Sequence, residues 1–238
     1  VAVLTGSEVS SYAAGEVWNM FDQTLNYPIT QLNADDIGSL ANIDVLIIPD
    51  GYYYSFSDKP VAETLKNFVK RGGKIIAMEG GATQIAGMDL GFTLKKTDGD
   101  DSSKQKGDSA DYSKLKKYAD RERDYLPSTI PGAIFKVELD NTHPLAFGYP
   151  NFYYTLKQDG NLYEFLKDGW NVGVVKQSTY ITGFVGSKLK PKLKDGLLIG
   201  EQEFGRGSIV VLSDDVLFRM FWENGKLLFC NAVFLTGQ

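Results

Sequence analysis

One cysteine (Cys230) and one histidine (His143) are all that 238 residues hold of the two side chains most used for nucleophilic and metal chemistry. A disulfide within the chain is therefore excluded, as is a structural zinc site built from several Cys and His ligands. Any Cys–His or Ser–His–Asp arrangement would have to use these single copies. No apolar run approaches the roughly 20 residues needed to cross a bilayer. Positive charge is not in excess: 25 Lys and Arg stand against 30 Asp and Glu, a net charge of −5. That balance gives no electrostatic footprint for nucleic acid or an anionic membrane.

What is present is ordinary for a soluble globular chain, 43% hydrophobic and 23% charged, and long enough for a sizeable core. Scarce cysteine is compatible with export. Val1–Thr5 already reads as a core strand, with no starting Met and no basic-then-apolar leader, so a fragment of a longer chain is expected.

The first half alternates strand and helix. Strands are expected at Ala2–Thr5, Tyr27–Leu32, Asp44–Ile48 and Lys74–Met78. Between them, residues 11–25 place Ala14, Val17, Trp18, Phe21 and Leu25 at helical spacing, with Ser10 or Ser11 as cap. A short helix is expected at 34–41, and an amphipathic one at 59–70 stopped by Gly72-Gly73. Repeated β-α-β units imply a parallel sheet covered by helices on both faces. Residues 97–111 are polar and glycine-bearing and read as a mobile loop, followed by a charged helix at 112–126. From Ala133 onward the signal is mostly β, with candidates at 134–139, 152–156, 171–176, 179–184, 197–204 and 208–213. Gly205-Arg-Gly207 fits a tight hairpin, and helices close the chain at 216–222 and 224–235. The late strands are expected to extend the parallel sheet in mixed, partly antiparallel fashion, giving one α/β domain over 1–238.

In open α/β sheets ligands bind beyond the carboxyl ends of the strands. Four segments should converge there: Thr5–Ser11, Pro49–Tyr54, Glu79–Gly81 and Ser213–Asp215. Residues 73–87 read as a buried strand, a sharp glycine turn and a short helix, the geometry with which many α/β enzymes display a nucleophile. The display position holds Glu79, which needs a second catalytic carboxylate or a metal before it can act. Asp214 or Asp215 is the candidate carboxylate. Glu79 and Gly80 are the weak ligand candidates of this turn. Tyr52, Tyr53, Tyr54 and Phe56 form an aromatic cluster that fits either a sugar or peptide platform or a seam against another domain. The serines before the first long helix are explained by capping. His143, before a proline, reads as a turn residue bonded to backbone, and Cys230 as a buried free thiol. Arg219 lies among apolar neighbours and is expected to pair with Asp214 or Glu79.

Ile75-Ile-Ala-Met-Glu79-Gly-Gly81-Ala-Thr-Gln-Ile-Ala86 resembles the class I glutamine amidotransferase elbow. Glu79 falls on the Cys position, Gly81 on the second glycine, and Ala77 replaces the first. The family's late His and Glu have no counterpart His in Ser213-Asp214-Asp215. The whole chain resembles more specifically the amidotransferase-like domain C-terminal to the catalytic domain of some bacterial zinc carboxypeptidases. Leu46–Tyr53, Gly72–Gly81 and Tyr118–Arg123 carry this in the first half; Ile130–Val137, Leu139–Gly148, Phe218–Trp222 and Asn231–Phe234 carry it later. Related domains occur inside some β-galactosidases.

The resemblance implies a flavodoxin-like three-layer sandwich and a non-catalytic auxiliary domain of an exported zinc carboxypeptidase, periplasmic, cell-surface or secreted. Its partner would be the peptidase domain of the same polypeptide. Zinc would sit in that absent domain, whose His-x-x-Glu and further His cannot come from a chain with one His; no cofactor is expected here. The alternative is a sugar- or peptide-binding module at the carboxyl edge of the sheet.

Overall fold

The computed structural model describes residues 1–96, 115, 117–177 and 179–237. The polar stretch 97–111 and the first residues of the expected charged helix lie outside them. Among the described residues ten strands form one sheet: β1 (Ala2–Thr5), β2 (Thr30–Asn33), β3 (Val45–Ile48), β4 (Lys74–Met78), β5 (Gly132–Leu139), β6 (Phe152–Lys157), β7 (Trp170–Val175), β8 (Tyr180–Phe184), β9 (Gly196–Phe204) and β10 (Gly207–Leu212). Their order is β2-β1-β3-β4-β10-β9-β7-β5-β6, with β8 paired to β5 beside this path. The pairs from β2 through β4 to β10 are parallel, and those from β10 through β9 and β7 to β5 and β6 are antiparallel. The architecture is therefore a mixed α/β sandwich whose parallel part is extended by antiparallel strands.

The parallel strands β3 and β4 are buried at every residue, as their unbroken aliphatic runs require when helices cover both faces. One face packs a core containing Val17, Phe21, Ile47, Ile76, Val210 and Phe229. The other packs Leu46, Leu65, Phe68, Ile75, Ile85 and Val211. Odd and even positions of each strand serve opposite layers, which is the two-residue period of a pleated strand.

Helices α1 (Ser11–Asn19), α2 (Lys59–Lys70), α3 (Glu79–Ala86), α4 (Arg121–Tyr125) and α5 (Glu223–Phe234) complete the sandwich. Ser10 caps α1 through its side chain, and α1 continues as a π-helical turn over Met20–Leu25. Trp18 faces partly outward, whereas Val17 and Phe21 are fully buried. Gly72, at φ +114°, ends the turn after α2, where only glycine is unstrained.

Several expected elements shrink. Residues 34–41 make a 3-10 helix over Ala34–Ser39. In the expected charged helix only α4 is α-helical among the described residues, between 3-10 turns at Tyr118–Asp120 and Leu126–Ser128. Residues 216–222 hold a single 3-10 turn, Phe218–Met220, because Arg219 (φ +49°) and Met220 (φ +58°) are both left-handed. The β9–β10 hairpin turns through Gly205 and Arg206, with Gly205 at φ +71°.

Candidate functional site

The four expected segments do meet at the carboxyl edge, around a cleft of ≈ 900 Å³ whose lining includes Ser10, Glu16, Asp50, Glu79, Asp215 and Arg219. Glu79 occupies the elbow itself. No glycine turn separates β4 from α3: the chain passes from Met78 straight into Glu79 at φ +46°. A left-handed non-glycine residue carries strain that the surroundings must over-determine. They do so through two close approaches. A Cβ on Gly81 would stand 2.5 Å from the Ile48 carbonyl oxygen, and one on Gly80 would stand 2.5 Å from Asp50 Oδ1 and 2.6 Å from the Gly51 carbonyl oxygen. The Gly80 N–H donates to Asp50 Oδ1 at 3.1 Å. The Gly80 amide is therefore already engaged by a side chain of the protein.

The cleft floor is a set of carboxyl groups. Burial, reinforced by Asp215, Asp50, Asp214 and Asp159, pushes the Glu79 carboxyl up to about 9. Glu79 accepts no hydrogen bond through its side chain among the described residues and is a neutral acid at pH 7. Burial and the charge of Asp215 also raise Glu16 to about 7, and burial likewise raises Asp215. Glu16 Oε1 in turn accepts the Arg219 N–H at 2.6 Å, and Asp215 Oδ1 accepts the Leu217 N–H at 2.9 Å. Helix α1 and the turn after β10 are thus joined by the Arg219 N–H bond to Glu16. An elbow holding a protonated acid presents a hydrogen-bond donor where a nucleophile elbow displays its attacking group.

The candidate residues separate on inspection of their surroundings. Asp214 does not face the cleft. Its Oδ1 lies 2.7 Å from Lys157 Nζ and its Oδ2 accepts the Thr155 hydroxyl at 2.6 Å, all three side chains being buried. Asp215 faces the cleft instead. Arg219 pairs with neither Asp214 nor Glu79. It is exposed, and its guanidinium lies 5.3 Å from the Phe218 ring centroid. The left-handed turn swings it to the rim, where long cations stay solvated.

Tyr53, 1% exposed, donates its hydroxyl to the Pro49 carbonyl oxygen and stacks on Phe56 at 4.6 Å. It is a core residue, which the run of three tyrosines conceals. Tyr52 and Tyr54 are exposed, their rings 4.5 Å apart, and neither lines the cleft.

His143 lies at the opposite, amino edge of the sheet. Its Nδ1 accepts the Leu145 N–H at 3.2 Å, as the turn reading expects, and its Nε2 lies 3.5 Å from Glu201 Oε2. Cys230 is half-buried in α5, and burial raises its thiol. Among the described residues, no group of three or more His, Cys, Asp and Glu side chains is placed to hold a metal ion, and no helix is long and apolar enough to cross a membrane.

No family model and no curated protein sequence matches the chain. Solved structures do. One is PurLQS from Thermotoga maritima: 98% of this chain covers 96% of that one at a TM-score of 0.59 and 14% identity. A glutamine amidotransferase from Thermotoga maritima is matched over 98% of this chain and 95% of that one, at 0.55 and 10% identity. A β-galactosidase from Bacillus circulans is matched over 97% of this chain but 30% of that one, at 0.53 and 12% identity. The fold is that of the class I glutamine amidotransferases, a flavodoxin-like sandwich.

Proposed function

We propose that this chain is a non-catalytic amidotransferase-like module, the auxiliary domain of an exported zinc carboxypeptidase, packed on the peptidase domain of the same polypeptide. One observation supports its lack of catalysis above the others. The strained elbow is intact, yet it displays Glu79 as a protonated acid, and the sole imidazole sits at the far edge of the sheet. Without a thiol or a base at the elbow, the amidotransferase reaction has no nucleophile. The peptidase context rests on the ordered motifs from Leu46–Tyr53 to Asn231–Phe234. The purified chain should show no glutaminase and no carboxypeptidase turnover and should bind a cognate peptidase domain. Turnover by the isolated chain overturns the proposal.

The cleft itself favours a second reading, a module that binds a sugar or peptide at the carboxyl edge. Its floor mixes neutral acid donors with carboxylate acceptors, which suits hydroxyl and amide groups. Calorimetry against glycans and peptides separates the two. A saturable heat abolished by Glu79→Ala supports binding, and a flat titration with tight peptidase association supports the auxiliary role.

A further inference from the structure

A second cleft, of ≈ 590 Å³, opens at the amino edge of the sheet, remote from Glu79. Strand register builds it. Trp170 on β7 lies directly across from Glu201 on β9, and Glu203, two residues on, lies across from Ser208 on β10, which is paired in turn with Lys74 on β4. Cross-strand partners share a face, so these five side chains form two adjacent rows on the face that α5 covers. The turn Leu235–Gly237 after α5 and the His143 turn after β5 close the sides.

The polar groups of this cleft are incompletely satisfied. Glu201 is 5% exposed, and among the described residues its close side-chain partner is His143 Nε2 at 3.5 Å. Because His143 Nδ1 accepts a backbone N–H, a neutral imidazole carries its proton on Nε2; burial, opposed by Glu201, lowers the basicity of this ring. Lys74 supplies charge nearby without a bond. Its ammonium donates to the Val233 and Thr236 carbonyl oxygens and to Thr236 Oγ1, closing the end of α5. Arg206 likewise donates to the Arg71 carbonyl oxygen. Ser208, 2% exposed, has an Oγ with no hydrogen-bond partner. Buried polar atoms are ordinarily partnered, and unpartnered ones mark an absent group.

Trp170 supplies the remaining clue. It is 55% exposed, lines the cleft, and lies 5.8 Å from the His143 ring. An indole face beside a carboxylate whose nearest donor, the His143 Nε2–H, stands 3.5 Å off is complementary to an organic cation, which gains both the ring quadrupole and a charge-assisted hydrogen bond. Asp140 and Glu203 add negative charge at the rim, where Arg206 is the facing cation, while Lys74 lies behind Glu201 with its ammonium already bonded to the end of α5.

We propose that the amino-edge cleft binds an alkylammonium group, with Glu201 as its carboxylate, Trp170 as its aromatic wall and the Ser208 hydroxyl as a further acceptor. The group is shared by free alkylamines and by lysine side chains of a peptide. The test is an NMR titration of the whole chain, following the Trp170 indole and the Gly205 and Gly207 amides. The probes are n-butylammonium chloride and a lysine-containing peptide, with n-butanol and the Nε-acetylated peptide as neutral counterparts. Saturable shifts with the charged probes alone are expected. Equal affinity for the two would identify a small amine as the ligand, and tighter binding of the peptide would identify a peptide lysine. Trp170→Ala, at an exposed position, should keep the melting temperature and weaken binding about tenfold. Glu201→Gln should abolish binding. Flat titrations with both charged probes, equal shifts from the neutral ones, or full affinity in folded Trp170→Ala would each overturn the proposal.

Discussion

Lys157 Nζ lies 2.7 Å from Asp214 Oδ1 with both side chains shut away from solvent. The ammonium also donates to the Asn161 carbonyl oxygen at 2.8 Å and lies 3.3 Å from Asp159 Oδ1, while Thr155 fills the other carboxylate oxygen of Asp214. This network ties β6 to the end of β10 beneath the carboxyl-edge cleft. Asp214→Asn leaves the ammonium without its closest anion and should destabilise the fold by about 3–5 kcal/mol. The double variant Asp214→Leu with Lys157→Met should lose less than the sum of the two single changes. Urea unfolding of the parent, Asp214→Asn, Asp214→Leu, Lys157→Met and the double variant checks both statements.

Glu79 gives a pH dependence of definite sign. Its folded value of about 9 stands above the ordinary 4.5. The folded state therefore binds the proton more tightly than the unfolded one, so stability falls as pH rises through that window. Glu79→Gln removes the effect. The variant should match the parent near pH 4 and exceed it by about 1–3 kcal/mol near pH 7.5. Denaturant melts at the two pH values measure the difference, and parallel curves would contradict it.

Gly81→Ala tests the packing that holds the elbow. The added methyl would stand 2.5 Å from the Ile48 carbonyl oxygen and 2.6 Å from that of Pro49. Backbone on both sides cannot yield cheaply, so a loss of about 1–3 kcal/mol is expected. Thermal unfolding followed by circular dichroism reads it.

Arg219 tests strain without an ion pair. Arg219→Gly relieves a left-handed backbone at φ +49° and should stabilise by about 1 kcal/mol, whereas Arg219→Ala keeps the strain and should change stability by less than about 0.5 kcal/mol. An Arg219→Ala loss of several kcal/mol in urea melts would reveal a buried partner that the geometry does not contain.

Continuous aliphatic runs made the central strands legible: Val45–Ile48 and Lys74–Met78 are buried at every position. The edge strand near residue 30 was harder to bound, because Thr30–Asn33 is mostly exposed and bears no core pattern. At the site, the elbow and its four converging segments followed from strand ends and glycine spacing. The direction of side chains did not. Tyr52, Tyr53 and Tyr54 are chemically one run, yet only Tyr53 turns inward. Lys157 carried a signal that went unread: alternation along β6 points Tyr153, Thr155 and Lys157 to one face, so the lysine needed a buried anion, and Asp214 was it. Glu16 gave none, since a glutamate on an amphipathic helix is ordinarily solvated; only the fold brings it to Asp215. The φ of Arg219 is likewise a tertiary outcome that no local propensity announces.

The left-handed turn at the end of β4 also explains why replacing Glu79 alone would not create an attacking sulfur. In Glu79→Cys the new thiol would inherit the positive φ, but also the negative field of Asp50, Asp214 and Asp215 that now raises the carboxyl. Such surroundings hold a thiol protonated. Iodoacetamide should therefore label that cysteine more slowly than a cysteine at an exposed surface position. A displayed side chain without its counter-charge is a mount with no weapon.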